Sequence, residues 1–413
     1  MTPLEECVQT FRKWLHLPDV GTLYITLAAV VANLTTGDPV WLLIVGPPGG
    51  GKTETLNPLP ALEYVHPTAT LTVAALLSGT PKKEVENGSK GGLLRVIGDF
   101  GIIVLKDFTS VLSMHREARA EILAALREIY DGEWTRHVGT GGGRTLHWSG
   151  KVGLIAGCTG TIDSHHAVMG SMGERFILYR LPPIDGDHQA AVALDHVGEE
   201  ATMRAELSAA VGKVLGSVDV AGPRAALSAE DKDRLNRLAN VATRCRSAVE
   251  RDSYSREIEL IPEPEAPARF ARVLLLLRNG LLAIGVDDVT VWQVLTKAAL
   301  DSMPAIRRQA LDVIVDGPWR PGADYPHDHH PGTGNIARAA GYPERTMLRA
   351  LEDLEVHGVL KKWRQASNYP WQWSLTDWTR ERWPRPPETS EGSFIETQDS
   401  EEDFSGERPE KAA

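Results

Sequence analysis

The chain has 413 residues and is 42% apolar, enough to core two or three domains, with a formal net charge of −11. Much of the acidity lies after Pro387, so the balance leaves room for a nucleic-acid partner only at a local basic surface. Cys7, Cys158 and Cys245 lie too far apart for a disulfide framework or a thiolate metal site; no signal peptide is evident, and apolar runs such as 273–277 are cut by Arg278, so a cytoplasmic protein with no membrane partner is expected.

Residues 1–39 predict two helices, 4–15 and 22–34, broken at Leu17-Pro18-Asp19-Val20-Gly21 and packed beside whatever follows. Residues 40–45 read as a buried parallel strand. It runs into Gly46, Pro47, Pro48, Gly49, Gly50, Gly51, Lys52 and Thr53, which fit the phosphate-loop pattern G-x-x-x-x-G-K-[ST] without a mismatch. Glycines let backbone N–H groups turn inward around phosphate oxygens, Lys52 reaches the β and γ phosphates, and the Thr53 hydroxyl is a magnesium ligand. ATP and Mg2+ are therefore the expected cofactors.

A helix is expected over 54–62, ended early by Pro58 and Pro60, then a strand at 69–72, a short helix at 73–77 and a polar surface loop at 81–90. Residues 101–107 predict another buried strand, ending in Asp107, whose carboxylate suits the magnesium shell. We expect this strand to neighbour the loop strand, so that Lys52 and Asp107 face one triphosphate. Position 108 is Phe where ATPases of this layout usually carry a glutamate. Glu54, beside the loop, is the preferred carboxylate to polarise water, with Glu128 as the alternative.

Next come a helix over 116–130, a β-hairpin formed by 132–138 and 144–148 across the glycines 139–143, and a buried strand at 151–157 leading to Cys158-Thr159. Gly173-Glu174-Arg175-Phe176 opens a further segment. This order of parts resembles the AAA+ ATPases of the branch whose hairpin precedes the sensor strand, including the minichromosome maintenance helicases. The resemblance implies an α/β P-loop core with a parallel sheet and an α-helical lid. By it, Thr159 corresponds to the sensor-1 polar residue, Arg175 to the arginine finger that completes a neighbour's site in a homo-oligomeric ring, and Arg144 to a DNA-touching hairpin residue.

Alanine-rich helices are expected around 189–197, 201–215 and 229–249. Ala268-Arg269-Phe270 resembles the start of the family's sensor-2 helix, which implies Arg269, or Arg272 one turn on, as a lid arginine on the γ phosphate. A Pro, Gly and His loop at 318–331 marks a boundary, and its histidines lack partners with metal-site spacing. Beyond it, helices at 334–340 and 346–357 and a hairpin at 359–363 and 369–375 read as a C-terminal winged helix. Arg345 and Arg349 would face DNA, with Lys361, Lys362 and Arg364 on phosphates, although Glu352, Asp353 and Glu355 equally suit docking to a protein.

The expected domains are flanking helices (1–39), the ATPase core (40–185), linker and lid (186–316), winged helix (317–380) and an acidic disordered tail (381–413). The leading expectation is an ATP-hydrolysing motor on DNA, helicase-like or for replication initiation. The alternatives are an ATP-switched DNA-binding regulator with little turnover and a nucleotide-bound scaffold.

Overall fold

The computed structural model describes residues 1–78, 91–138, 144–166, 169, 175–222, 226–316, 330–364, 367 and 371–384. The expected loop at 81–90, the glycines at 139–143, Gly173, Glu174, His327, His329 and the acidic tail lie outside the described residues.

The centre is a five-stranded, all-parallel sheet: β1 (Trp41–Val45), β2 (Val65–Thr68), β3 (Phe100–Leu105), β6 (Lys151–Cys158) and β7 (Phe176–Arg180), in the order β2-β3-β6-β1-β7. Side chains alternate across each strand, and both faces are covered. Leu42, Ile44, Ile102, Val104, Ile155 and Ile177 enter one core, while Trp41, Leu43, Ile103, Leu105, Leu154 and Phe176 enter the other. This makes a mixed α/β fold whose parallel sheet suits a P-loop-type core.

Helices Pro3–Trp14, Gly21–Leu34, Glu200–Gly216, Ala229–Arg246, Ala268–Ala283 and Asp288–Asp301 fill the first core. Pro3–Trp14 is started by a Thr2/Glu5 capping box. Gly21–Leu34 is buried along nearly its whole length because it lies between the sheet and Ala268–Ala283. On the second face sits Arg116–Tyr130, with the antiparallel hairpin of β4 (Glu133–Val138) and β5 (Arg144–Ser149).

Two sequence expectations need correction. The second strand is 65–68 rather than 69–72, and Pro67 is tolerated there because, among the described residues, the strand is an edge paired with β3. The aspartate strand β3 does not neighbour β1, since β6 is inserted between them.

A third core joins helices Ala305–Asp316, Thr333–Ala339 and Glu344–Val356 to the antiparallel pair β10 (Leu360–Trp363) and β11 (Gln372–Leu375). It also takes in Val241, Cys245 and Leu300, so this unit begins structurally before residue 317. A small hairpin, β8 (Glu250–Arg251) with β9 (Ile258–Leu260), lies beside Glu344–Val356. Among the described residues, no helix is long and apolar enough to cross a membrane.

Candidate functional site

The loop after β1 turns on Gly49 (φ 77°) and Gly51 (φ 79°), left-handed conformations that a side chain would strain. Lys52 opens a helix of only five residues, Lys52–Leu56, because Pro58 and Pro60 impose a 3-10 turn at Leu59–Ala61. Its Nζ folds back to donate to the carbonyls of Gly46 (2.8 Å) and Pro47 (2.5 Å). Burial lowers the Lys52 pKa from the ordinary lysine value, against the opposing pull of Asp107 and Cys158. The lysine stem packs over Gly157, where an added Cβ would stand 2.6 Å from the Lys106 carbonyl oxygen and 3.7 Å from Lys52 Cβ.

The register brings three strand ends level: Val45 pairs with Cys158, and Leu105 with Ala156. Phe108 N donates to Gly157 O (2.7 Å) and Gly46 N to Cys158 O (3.1 Å), so the inserted β6 bridges the loop and the aspartate. Asp107 is exposed and accepts from Thr109 N at 2.9 Å. The Thr109 hydroxyl accepts from Thr159 N (3.1 Å) and lies 3.2 Å from Thr159 Oγ1, which in turn meets Thr161 Oγ1 at 2.8 Å. Thr109 thus couples Asp107 to Thr159, a link that no motif announces. Cys158 is buried, and burial pushes its thiol up to about 11, so it is a packing residue here.

Among the described residues, no cluster of three or more His, Cys, Asp or Glu is arranged to hold a metal. The donors present, the exposed Thr53 hydroxyl and the Asp107 carboxylate, are hard oxygens. They fit magnesium, which binds through one or two protein oxygens together with substrate phosphates.

The two carboxylates considered for water activation are both occupied or remote. Glu54 pairs with Arg204 (3.1 Å) and accepts from Asn57 (3.0 Å). Glu128 is a solvent-facing residue near the end of helix Arg116–Tyr130, whose Tyr130 stacks edge-on against Trp41 at the start of β1, away from the loop. Phe108 is fully buried against Phe176.

Beside the loop opens a cavity of about 450 Å³, within the range of small-molecule pockets. Leu15, Leu17, Pro18 and Asp19 form one wall, Gly49 to Gly51 the floor, and Leu181, Ile184 and helix Gly186–Asp195 the other wall. Gln189 latches that helix to the loop by donating to Gly49 O at 3.0 Å. Asp19 accepts from Tyr179 OH (3.0 Å) and Gly21 N (2.8 Å), and burial raises its pKa above the usual carboxylate value. The sequence signal for this wall was the Leu17-Pro18-Asp19 break between two apolar helices.

Arg175 and Arg269 lie at the other end of the sheet. Arg175 precedes Phe176, which pairs with Trp41, whereas the loop follows Val45. Four strand rises, about 13 Å, separate those ends. Arg175 is buried, bonded to Asp131 (2.9 and 2.7 Å) and over the Tyr130 ring at 5.2 Å. Arg272 pairs with Asp38 at 3.1 Å. Burial pushes the Tyr130 phenol up to about 12, a shift that Asp38 reinforces and that Arg269, Arg175 and Arg272 oppose. The expectation of Arg269 or Arg272 over the γ phosphate of its own chain is therefore corrected: helix Ala268–Ala283 starts at Asp38, not at the loop.

The residues expected at DNA are split. Arg144 pairs with Val138 at the end of the β4–β5 hairpin where the chain passes from one strand to the other. Arg345 and Arg349 line a groove shared with Arg251 to Ile258, and Arg251 donates to Arg349 O at 3.1 Å. Glu352 and Asp353 are ion-paired with Arg251, and Asp353 also with Arg307. Lys361, Lys362 and Arg364 lie on or just after β10; Lys362 and Arg364 sit over Trp371, and Lys362 also over Trp373.

No family model matches the chain, and no curated protein sequence does. Among solved structures it is similar to the apo A form of the NrS-1 C-terminal region, at 13% identity and a TM-score of 0.25, over 58% of this chain. The match spans 54% of that structure's length, and a likeness this weak says nothing about chemistry.

Proposed function

We propose that this chain is an ATP-hydrolysing motor of the AAA+ type that acts on DNA as a ring, with a helical lid and a C-terminal winged helix, in helicase-like work or replication initiation. The observation that carries this reading is the meeting of the Gly46–Thr53 loop, Asp107 and Thr159 at level ends of three adjacent parallel strands. Open α/β sheets bind ligands at such strand ends.

In this reading the loop N–H groups hold the phosphates, and Lys52 exchanges the carbonyls of Gly46 and Pro47 for phosphate oxygens. Thr53 and Asp107 hold Mg2+, which when bound neutralises charge on the phosphates. Thr159, fixed by Thr109, orients water, and the nucleobase enters the cavity between Leu17 and Ile184. Arg175 and Arg269, remote from their own loop, suit a neighbour's loop, which requires a closed assembly of copies.

A second reading, an ATP-switched DNA-binding regulator with slow turnover, is favoured by Phe108 and by the occupied Glu54. Phosphate release measured with and without single-stranded and duplex DNA, together with oligomer size, separates the two. DNA-stimulated release lost in Lys52→Ala, from an oligomer, supports the motor. Slow release indifferent to DNA supports the switch. Glu54→Gln with unchanged turnover would remove Glu54 as the base.

A further inference from the structure

We propose that the β10–β11 hairpin carries a stacking site for unpaired nucleobases with Trp371 as its platform, an inference that rests on the DNA-acting reading above. The antiparallel register sets Lys362 opposite Trp373 and Trp363 opposite Gln372. Alternation along each strand then puts Lys362 and Trp373 on one face with, two positions further out and just past the ladder, Arg364 and Trp371.

The two indoles on that face differ in fate. Trp373 is fully buried and anchored by Nε1 donating to Thr333 Oγ1 at 2.8 Å. Trp371 is 42% exposed. Two cations lie over its ring: Lys362 Nζ is 4.9 Å from the centroid and the Arg364 guanidinium carbon 4.5 Å. Lys362 also lies 5.3 Å from the Trp373 ring.

One carboxylate, Glu355, offsets part of this charge. Glu352 and Asp353 are turned to Arg251 and Arg307, and Glu355 is the acid that Lys362 faces. A half-exposed indole with mobile-stemmed cations over it is the combination that grips a single strand: a base takes a cation's place on the ring while the cations meet the adjacent phosphates. A duplex hides its base faces, so the indole adds affinity only where bases are unpaired. An apolar peptide would need contiguous apolar surface, which charged Lys361, Lys362 and Arg364 interrupt.

The test is fluorescence anisotropy of the full-length chain with labelled oligothymidine and with a blunt duplex, comparing wild type, Trp371→Ala, Trp371→Phe and Lys362→Ala. Thermal melting confirms that each variant folds. Trp371→Ala is expected to weaken single-strand binding by about fivefold or more while leaving duplex binding unchanged. Trp371→Phe retains most of the affinity, and Lys362→Ala weakens both substrates. Equal losses on both substrates in Trp371→Ala, or none, overturn the stacking site alone. A wild type that binds neither substrate overturns it together with the DNA-acting reading.

Discussion

Arg175 Nη2 reaches both carboxylate oxygens of Asp131, at 2.9 and 2.7 Å, so this guanidinium is held within its own chain at the sheet end remote from the phosphate loop. In a ring it would exchange Asp131 for a neighbour's phosphate. Arg175→Ala is expected to bind Mg-ATP normally yet lose turnover on the order of 10³-fold. Mixing it with Lys52→Ala should recover activity, because mixed rings pair an intact loop with an intact arginine. No recovery at any ratio contradicts shared sites.

Gly157 is predicted to matter through Lys52. An added methyl would stand 2.6 Å from the Lys106 carbonyl oxygen, a backbone atom that cannot step aside cheaply. Gly157→Ala should cost about 1–3 kcal/mol in denaturant unfolding and weaken nucleotide binding. Unchanged stability and binding would mean that β3 and β6 can part without disturbing the lysine.

Much of this site was legible because its chemistry is local in sequence. The loop pattern names Gly46 to Thr53, and a carboxylate closing an apolar run names Asp107. The insertion of β6 between their strands was not legible, since strand order is set by long-range packing that no local pattern encodes. Thr109 escaped notice because its partner Thr159 is far along the chain. The position of Arg269 depended on which way helix Ala268–Ala283 runs against Gly21–Leu34, and its apolar periodicity is the same in either direction.

Thr109 yields a finer prediction. Removing its hydroxyl frees Thr159 while the backbone N–H of residue 109 still donates to Asp107, so Thr109→Val should lower turnover about tenfold with little change in Mg-ATP affinity, and Thr109→Ser should restore it. Steady-state phosphate release alongside equilibrium binding checks this. A purely structural role would lower stability in both variants without separating turnover from binding.

His166 predicts a pH dependence of stability. Burial pushes its imidazole down to about 3, helped by Arg307, against the ordinary value of 6.5. The folded state therefore binds the proton less well than the unfolded state, and the stability present above pH 6.5 drains away as pH falls toward the folded value. His166→Gln should flatten the profile by about 1.4 kcal/mol per pH unit within that window. Urea midpoints at several pH values test it, and parallel profiles would contradict it.

The most direct test of the account is calorimetric titration of ATP into wild type, Lys52→Ala and Asp107→Asn, each with magnesium and with a chelator. Wild type should bind Mg-ATP, Lys52→Ala should bind weakly in both conditions, and Asp107→Asn should be impaired only when magnesium is present. No binding heat in the wild type, or an Asp107 effect indifferent to the metal, would contradict the claim that these two side chains serve one triphosphate.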